Sequence, residues 1–147
     1  MSDEPASSGP PSRRRGRGRV RRELGSHWFS VDLTLEAGPA ERHSFTVDLE
    51  EPAGGWDAAY AGTIDAAVRF AEEKALFRLG RADLAVLHVS LRRLSTSHIG
   101  TTAPLVFYAT LLALEEALEI SIPDVKLDWR TLELRLKFAN GKRRQDS

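Results

Sequence analysis

The chain has 147 residues, with 41% hydrophobic and 29% charged side chains, the proportions of a soluble globular protein with room for one domain. It has no cysteine, which excludes disulfides, thiolate metal sites and a cysteine nucleophile. No apolar run reaches membrane-spanning length, and the N-terminus MSDEPASSGPPSRRR lacks the apolar core of a secretory signal, so the expected location is cytoplasmic.

A formal net charge of zero hides an uneven division. Residues 1–24 hold seven arginines against three carboxylates, and residues 25–140 hold 11 basic and 17 acidic side chains. Residues 141–147 add three basic side chains against one Asp. An acidic body with two basic ends points to tails that meet a polyanion or an acidic surface.

Residues 1–12 are rich in Ser, Pro and Gly and carry no periodic apolar residues, so disorder is expected there. The run RRRGRGRVRR follows, with Arg13, Arg14, Arg15, Arg17, Arg19, Arg21 and Arg22 separated by two glycines and a valine. At this charge density residues 1–24 are expected to form a disordered tail that neutralises phosphates and releases their counterions. The bland alternative is an incidental, solubilising end.

Phe29, Val31, Leu33 and Leu35 alternate with polar residues and predict a half-buried strand. Phe45, Val47 and Leu49 repeat the pattern after a turn around Gly38-Pro39, and the two strands are expected to pair as an antiparallel hairpin. From about Asp57 to Leu79, Tyr60, Ile64, Ala67, Val68, Ala71 and Ala75 form one helical stripe, and Gly80 is placed to end the helix. Leu84 to Leu91 is apolar on both faces for most of its length, as in a strand inside a sheet, with His88 as a hydrogen-bonded structural residue. The stretch 92–100 reads as a polar loop. A second helix follows Thr101 or Thr102, with Pro104 in its first turn and Phe107, Leu111, Leu114 and Leu118 on one face. Glu115, Glu116 and Glu119 near its end oppose the helix dipole and are expected either on a solvated face or against a basic partner. After Pro123, two alternating stretches of opposite phase meet at Arg130–Thr131, which predicts a bulge or tight turn.

The expected architecture is therefore α+β, a two-layer sandwich of about four strands with two helices on one face, in the order β-β-α-β-α-β. Residues 25–139 form the single domain and 140–147 a short basic tail. No phosphate-binding glycine loop or zinc-protease helix motif occurs. The four histidines have no spacing that brings two onto one helical face. Ser95, Ser97 and His98 are neighbours in a loop without an identified acid, which is a poor nucleophile site. No enzyme activity, metal or cofactor is expected.

Several short matches carry a family likeness. Gly25 and Phe29 open the first strand, Gly54-Gly55 precede Tyr60, and Ile64 and Val68 follow at helical spacing. Asp83 opens the apolar strand, and Phe107 lies nine residues after His98. On these residues the stretch 25–118 resembles the fourth domain of translation elongation factor G and its ribosomal-protection relatives, whose two-layer fold is shared with part of ribosomal protein S5. It departs from that family at Trp28, where the family has Gln, and at Gly100-Thr101-Thr102, where it has Asp-Ser-Ser. The resemblance covers no GTPase domain. It implies that residues 25–28 and 95–100 are loops that approach RNA, with His27, Trp28, Ser97 and His98 as contacts and His98 at the tip. Together with the arginine run, this leads to the expectation of a non-enzymatic ribosome- or RNA-associated accessory protein. The alternative is a protein-interaction module or homodimer of the same fold.

Overall fold

Strand β2 (His27–Pro39) turns Val31, Leu33, Leu35 and Ala37 to one face, where all four are buried. Alternation then puts Ser30, Asp32, Thr34 and Glu36 on the opposite face. A computed structural model describes residues 13–24, 27–52, 58–97, 102–122, 125–128 and 133–136.

The arginine run is not a disordered tail. Arg14–Leu24 is strand β1, paired antiparallel with β2 from Arg14 opposite Ala37 to Leu24 opposite His27. Its period is two, and that is the physical reason: Gly16, Gly18 and Val20 fall on the buried face, while Arg15, Arg17, Arg19 and Arg21 fall on the exposed one. The folded body therefore includes these arginines, and only residues 1–12 of the expected tail lie outside the described residues. The short basic tail at 140–147 also lies outside them.

The expected hairpin does not form either. β3 (Ser44–Val47) pairs in parallel with β4 (Leu87–Thr96), and β4 pairs antiparallel with β2, giving the sheet order β1-β2-β4-β3. β4 takes an inner position with neighbours on both sides, its Leu87, Val89, Leu91 and Leu94 buried. The four-residue β3, whose Thr46 and Val47 are exposed, takes an edge. Parallel pairing needs a crossover, which helix α1 (Ala61–Phe77) supplies. Gly80, at φ +66°, follows its end as the sequence predicts. A single turn of 3-10 helix at Ala82–Leu84 stands where the apolar strand was expected to begin, and β4 instead extends into the expected loop as far as Thr96.

That extension contains a bulge. Leu91 and Leu94 are three residues apart, which breaks the alternation, and the β2–β4 register shifts between Thr34 and Leu35 to absorb the extra residue. Leu94 thereby returns to the buried face, and Arg92 and Arg93 both send their guanidinium groups to carboxylates of residues 48–51.

Helix α2 (Ala103–Leu118) has Thr102 as its N-cap residue and Pro104 in its first turn. Thr102 makes no side-chain capping bond. Both helices cover the same face of the sheet, joined by Phe70 and Phe107 in an edge-on ring contact at 5.9 Å. The fully buried Lys74 holds its ammonium 5.3 Å from the Phe70 ring centre. The result is the expected two-layer α+β fold, with the arginine strand rather than the C-terminal segment completing the sheet. The C-terminal stretches form a separate two-stranded sheet, β5 (Val125–Asp128) antiparallel to β6 (Glu133–Leu136).

Gly16 and Gly18 decide how α2 seats on β1. A Cβ at Gly16 would lie 2.0 Å from the Ala113 carbonyl oxygen, and one at Gly18 would lie 1.8 Å from that of Ala109. Backbone cannot yield such distances without moving the helix. Gly18→Ala is expected to destabilise the fold by about 3 kcal/mol, at the upper end of ordinary overpacking costs. Gly62→Ala, where a Cβ meets nothing within 4 Å, is expected to be neutral or to stabilise by about 0.5 kcal/mol. Urea unfolding midpoints of the two variants at unchanged slope test the pair.

Candidate nucleic-acid interface

The face of the sheet opposite the helices is the candidate surface. β1 presents Arg15, Arg17, Arg19 and Arg21 there, β2 presents Ser30, Asp32, Thr34 and Glu36, and β4 contributes Arg93 and Ser95. Much of this charge is matched. Arg17 forms a two-pronged ion pair with Asp32, at 2.9 Å from Nε and 2.5 Å from a terminal nitrogen. Arg15 reaches Glu36 at 3.2 Å and Glu50 at 2.6 Å, and Glu50 also meets Arg92 at 3.4 Å. Arg92 pairs with Asp48 at 2.6 Å and Arg93 with Glu51 at 2.8 Å.

Two adjoining cavities lie along this face. One, of about 380 Å³, is bordered by Arg17, Asp32, Thr34, Glu51, Arg93 and Ser95. The other, of about 250 Å³, is bordered by Arg19, Arg21, Ser30, Asp32 and Ser95. Asp32 and Ser95 belong to both, so the two read as one groove running beside β1. The hydrogen bond from Arg17 holds the Asp32 carboxyl below the usual carboxylate range, against the opposing effect of burial, and the fields of Arg17, Arg19 and Arg93 add to it. The Glu50 carboxyl is lowered in the same way, first by Arg15 and further by Arg92.

The other expected contact residues do not gather on this face, since Arg14 shares the helix-side face of Gly16 and Gly18. Arg13 is exposed just before β1 and Arg14 pairs with Glu119, the residue that caps the end of α2. Arg22, His27 and Trp28 lie in the paired strands, with Trp28 opposite Glu23. Ser97 donates its backbone N–H to the Ser30 carbonyl at 3.2 Å, and its hydroxyl oxygen accepts from the Ser30 N–H at 3.4 Å. It thus ties the end of β4 to the start of β2, the same end of the sheet as His27. His98 lies outside the described residues. His88, on β4, has its pKa lowered by burial and further by the charge of Arg13, which suits a neutral structural histidine.

Two of the glutamates at the end of α2, Glu116 and Glu119, meet the chain's own first strand. Glu116 accepts the backbone N–H of Arg17 at 2.7 Å, and Glu119 pairs with Arg14. Glu115 accepts the N–H of Ile122 at 2.7 Å.

A second constellation has no counterpart in the sequence reading. His43, between β2 and β3, has Nδ1 2.7 Å from Glu72 Oε2 and Nε2 2.8 Å from Asp65 Oδ1, both carboxylates being on α1. Glu72 Oε2 also accepts the N–H of Leu87 at 2.8 Å. Protonated, the ring donates from both nitrogens to these carboxylates and clamps the β2–β3 connection to the helix. Histidine and carboxylates 22 and 29 residues apart leave no spacing motif, and only the fold brings them together. Among the described residues no group of three or more such side chains is arranged to hold a metal ion. No helix among them is long and apolar enough to cross a membrane.

No protein-family model matches the sequence, and no curated protein matches it significantly. Among solved structures, the crystal structure of a Thermus thermophilus protein is similar over 73% of this chain, with a TM-score of 0.59 and 18% identity. At that identity the likeness shows the fold alone. The chain spans 16% of the length of that protein.

Burial works against the charge on His43, but its bonds to Glu72 and Asp65 outweigh burial and raise its pKa above 6.5. A raised folded pKa contributes stability that is fully present below the unfolded value and lost as pH rises through the folded one. The thermal unfolding temperature of the native chain is therefore expected to fall from pH 6 upward into the alkaline range. His43→Gln should flatten that part of the profile and lower stability at pH 6.

Proposed function

We propose that this protein is a non-enzymatic, RNA- or ribosome-associated accessory protein of the cytoplasm that binds through the open face of its sheet. The row of Arg15, Arg17, Arg19 and Arg21 on one face of β1 carries this reading. On a strand, side chains two residues apart recur at about 6.7 Å, so four of them make a straight cationic edge of about 20 Å. Arginines fixed on a strand lose less freedom on binding than those of a flexible tail. Phosphates would take charge-assisted bonds from Arg19 and Arg21 and release counterions.

The matched carboxylates temper this charge. Arg15, Arg17, Arg92 and Arg93 are engaged with Asp32, Glu36, Asp48, Glu50 and Glu51, while Arg19 and Arg21 border the cavity at the groove's far end. That end lies beside the strand ends that carry His27, Trp28 and Ser97, three of the positions that the elongation factor G resemblance implies as contacts. No cofactor or metal takes part in this reading. The competing reading, a protein-interaction module or homodimer, draws on Leu76 and Phe77 at the end of α1, which are 43% and 65% exposed.

Ribosome co-sedimentation and RNA titration at several salt concentrations separate the two. Chain truncated at Glu23 is a poor probe, because it loses β1 and uncovers α2. Arg19→Gln/Arg21→Gln keeps the strand, and it is expected to lower the slope of log affinity against log salt by about 2. Binding unchanged by this double variant, or absent at low salt, would discard the RNA reading. Self-association lost in Phe77→Ser would support the interaction module.

A further inference from the structure

The groove holds a feature that a simple phosphate clamp does not need. Asp32, an ionised carboxylate, stands in the middle of its lining, with Arg17, Arg19 and Arg93 all acting on it. A carboxylate repels phosphate, so its place there lowers affinity for the backbone charge alone. Arg17 takes one hydrogen-bond direction at each carboxylate oxygen. A carboxylate offers about four such directions, so acceptor capacity remains on both oxygens. Ser30 and Ser95 line the same cavity.

We infer that the groove selects RNA over DNA, with Asp32 and Ser95 receiving the ribose 2′-hydroxyl while Arg19 and Arg21 hold the neighbouring phosphates. This rests on the RNA reading proposed above. The chemistry fits the 2′-hydroxyl because it is both donor and acceptor and recurs beside every phosphate of an RNA strand. An ionised acceptor next to a hydroxyl satisfies both of its roles. Base amino groups also donate, but they vary with sequence, and the groove sets the Asp32 carboxylate beside a row of evenly spaced cations, its other carboxylate, Glu51, being paired with Arg93. The cations ask for a ligand with a regular repeat, and the acceptor asks for a donor in each repeat.

Arg17 has a matching positioning role. Its two-pronged contact fixes the plane of the Asp32 carboxylate. It would thus act through Asp32 and not through phosphate.

The test compares RNA and DNA oligonucleotides of identical unstructured sequence by fluorescence anisotropy, using the full chain. The native protein should prefer RNA by roughly tenfold, the order of effect of one charge-assisted hydrogen bond. Asp32→Asn should lose most of that preference, mainly by binding DNA more tightly, because a charge that repels phosphate is gone. Ser95→Ala, at an exposed position, is a milder probe and should reduce the preference by about threefold. Circular dichroism of each variant checks that the sheet is retained. Equal binding of RNA and DNA by the native chain, with the expected steep salt dependence, would overturn this inference and leave the RNA-associated function standing. A preference unchanged in Asp32→Asn would overturn it too, as would a strong dependence on base sequence at equal sugar preference. Failure of both nucleic acids to bind at low salt would remove the functional reading itself, and this inference with it.

Discussion

The contact between the glycines of β1 and the backbone of α2 is the constraint on which the arrangement depends. Only residues without a Cβ at 16 and 18 let the helix lie directly on the strand, over Ala109, Ala113 and Ala117. Those alanines continue the same rule on the helix side, since each is small and buried. Once α2 is seated, the two-residue period of β1 leaves no choice for its arginines: they must face the other way. A steric condition on one side of the strand thus sets the electrostatics of the other. The sequence RGRGRV meets both conditions at once, small residues inward and cations outward.

The outer face is best understood as a partly neutralised network. Glu50 joins Arg15 of β1 to Arg92 of β4, although β2 lies between those strands. The bulge at Thr34–Leu35 is what makes Arg92 available for this, because it inserts a residue that the regular ladder would not hold. Exposed pairs of this kind contribute little to stability individually. Their effect is to fix the positions of long side chains that would otherwise sample many rotamers. At the end of α2, Glu115, Glu116 and Glu119 oppose the helix dipole, but the backbone N–H groups of Arg17 and Ile122 and the side chain of Arg14 offset that cost.

Much of the fold is legible in the sequence because its strongest signals are periodic. The stripe Ile64, Ala67, Val68, Ala71 and Ala75 and the alternation Val31, Leu33, Leu35 both lie in the core as read. The pairing of β3 is not legible in this way, because neighbours in sequence favour a hairpin, whereas burial demands β4 between them. β1 escapes for a different reason. Charge density suggests a tail, while the alternation of Gly16, Gly18 and Val20 against the arginines is already the signature of a strand with one buried face. Small residues carry little hydrophobic signal, and their value here lies in what they allow α2 to do. Of the site, the arginines are evident in the sequence but not their rigidity, and the cavity around Asp32 depends on a β1–β2–β4 register that no local pattern announces. The His43 clamp is similarly invisible, being built from residues on separate elements.

The way β1 closes its outer margin also bears on how copies of this chain meet one another. Among the described residues β1 has a single strand neighbour, and a strand edge of 11 residues is a natural template for growth into fibrous assemblies. Two features work against that fate. Copies approaching edge to edge would bring guanidinium rows into opposition, and Glu116 already occupies the N–H that Arg17 would offer to an incoming strand. The first safeguard weakens as ionic strength rises, whereas the second is a hydrogen bond inside one molecule and persists in concentrated salt. A helix side chain reaching over to a strand margin thus acts as an internal stopper, keeping a sheet with a long open border from propagating.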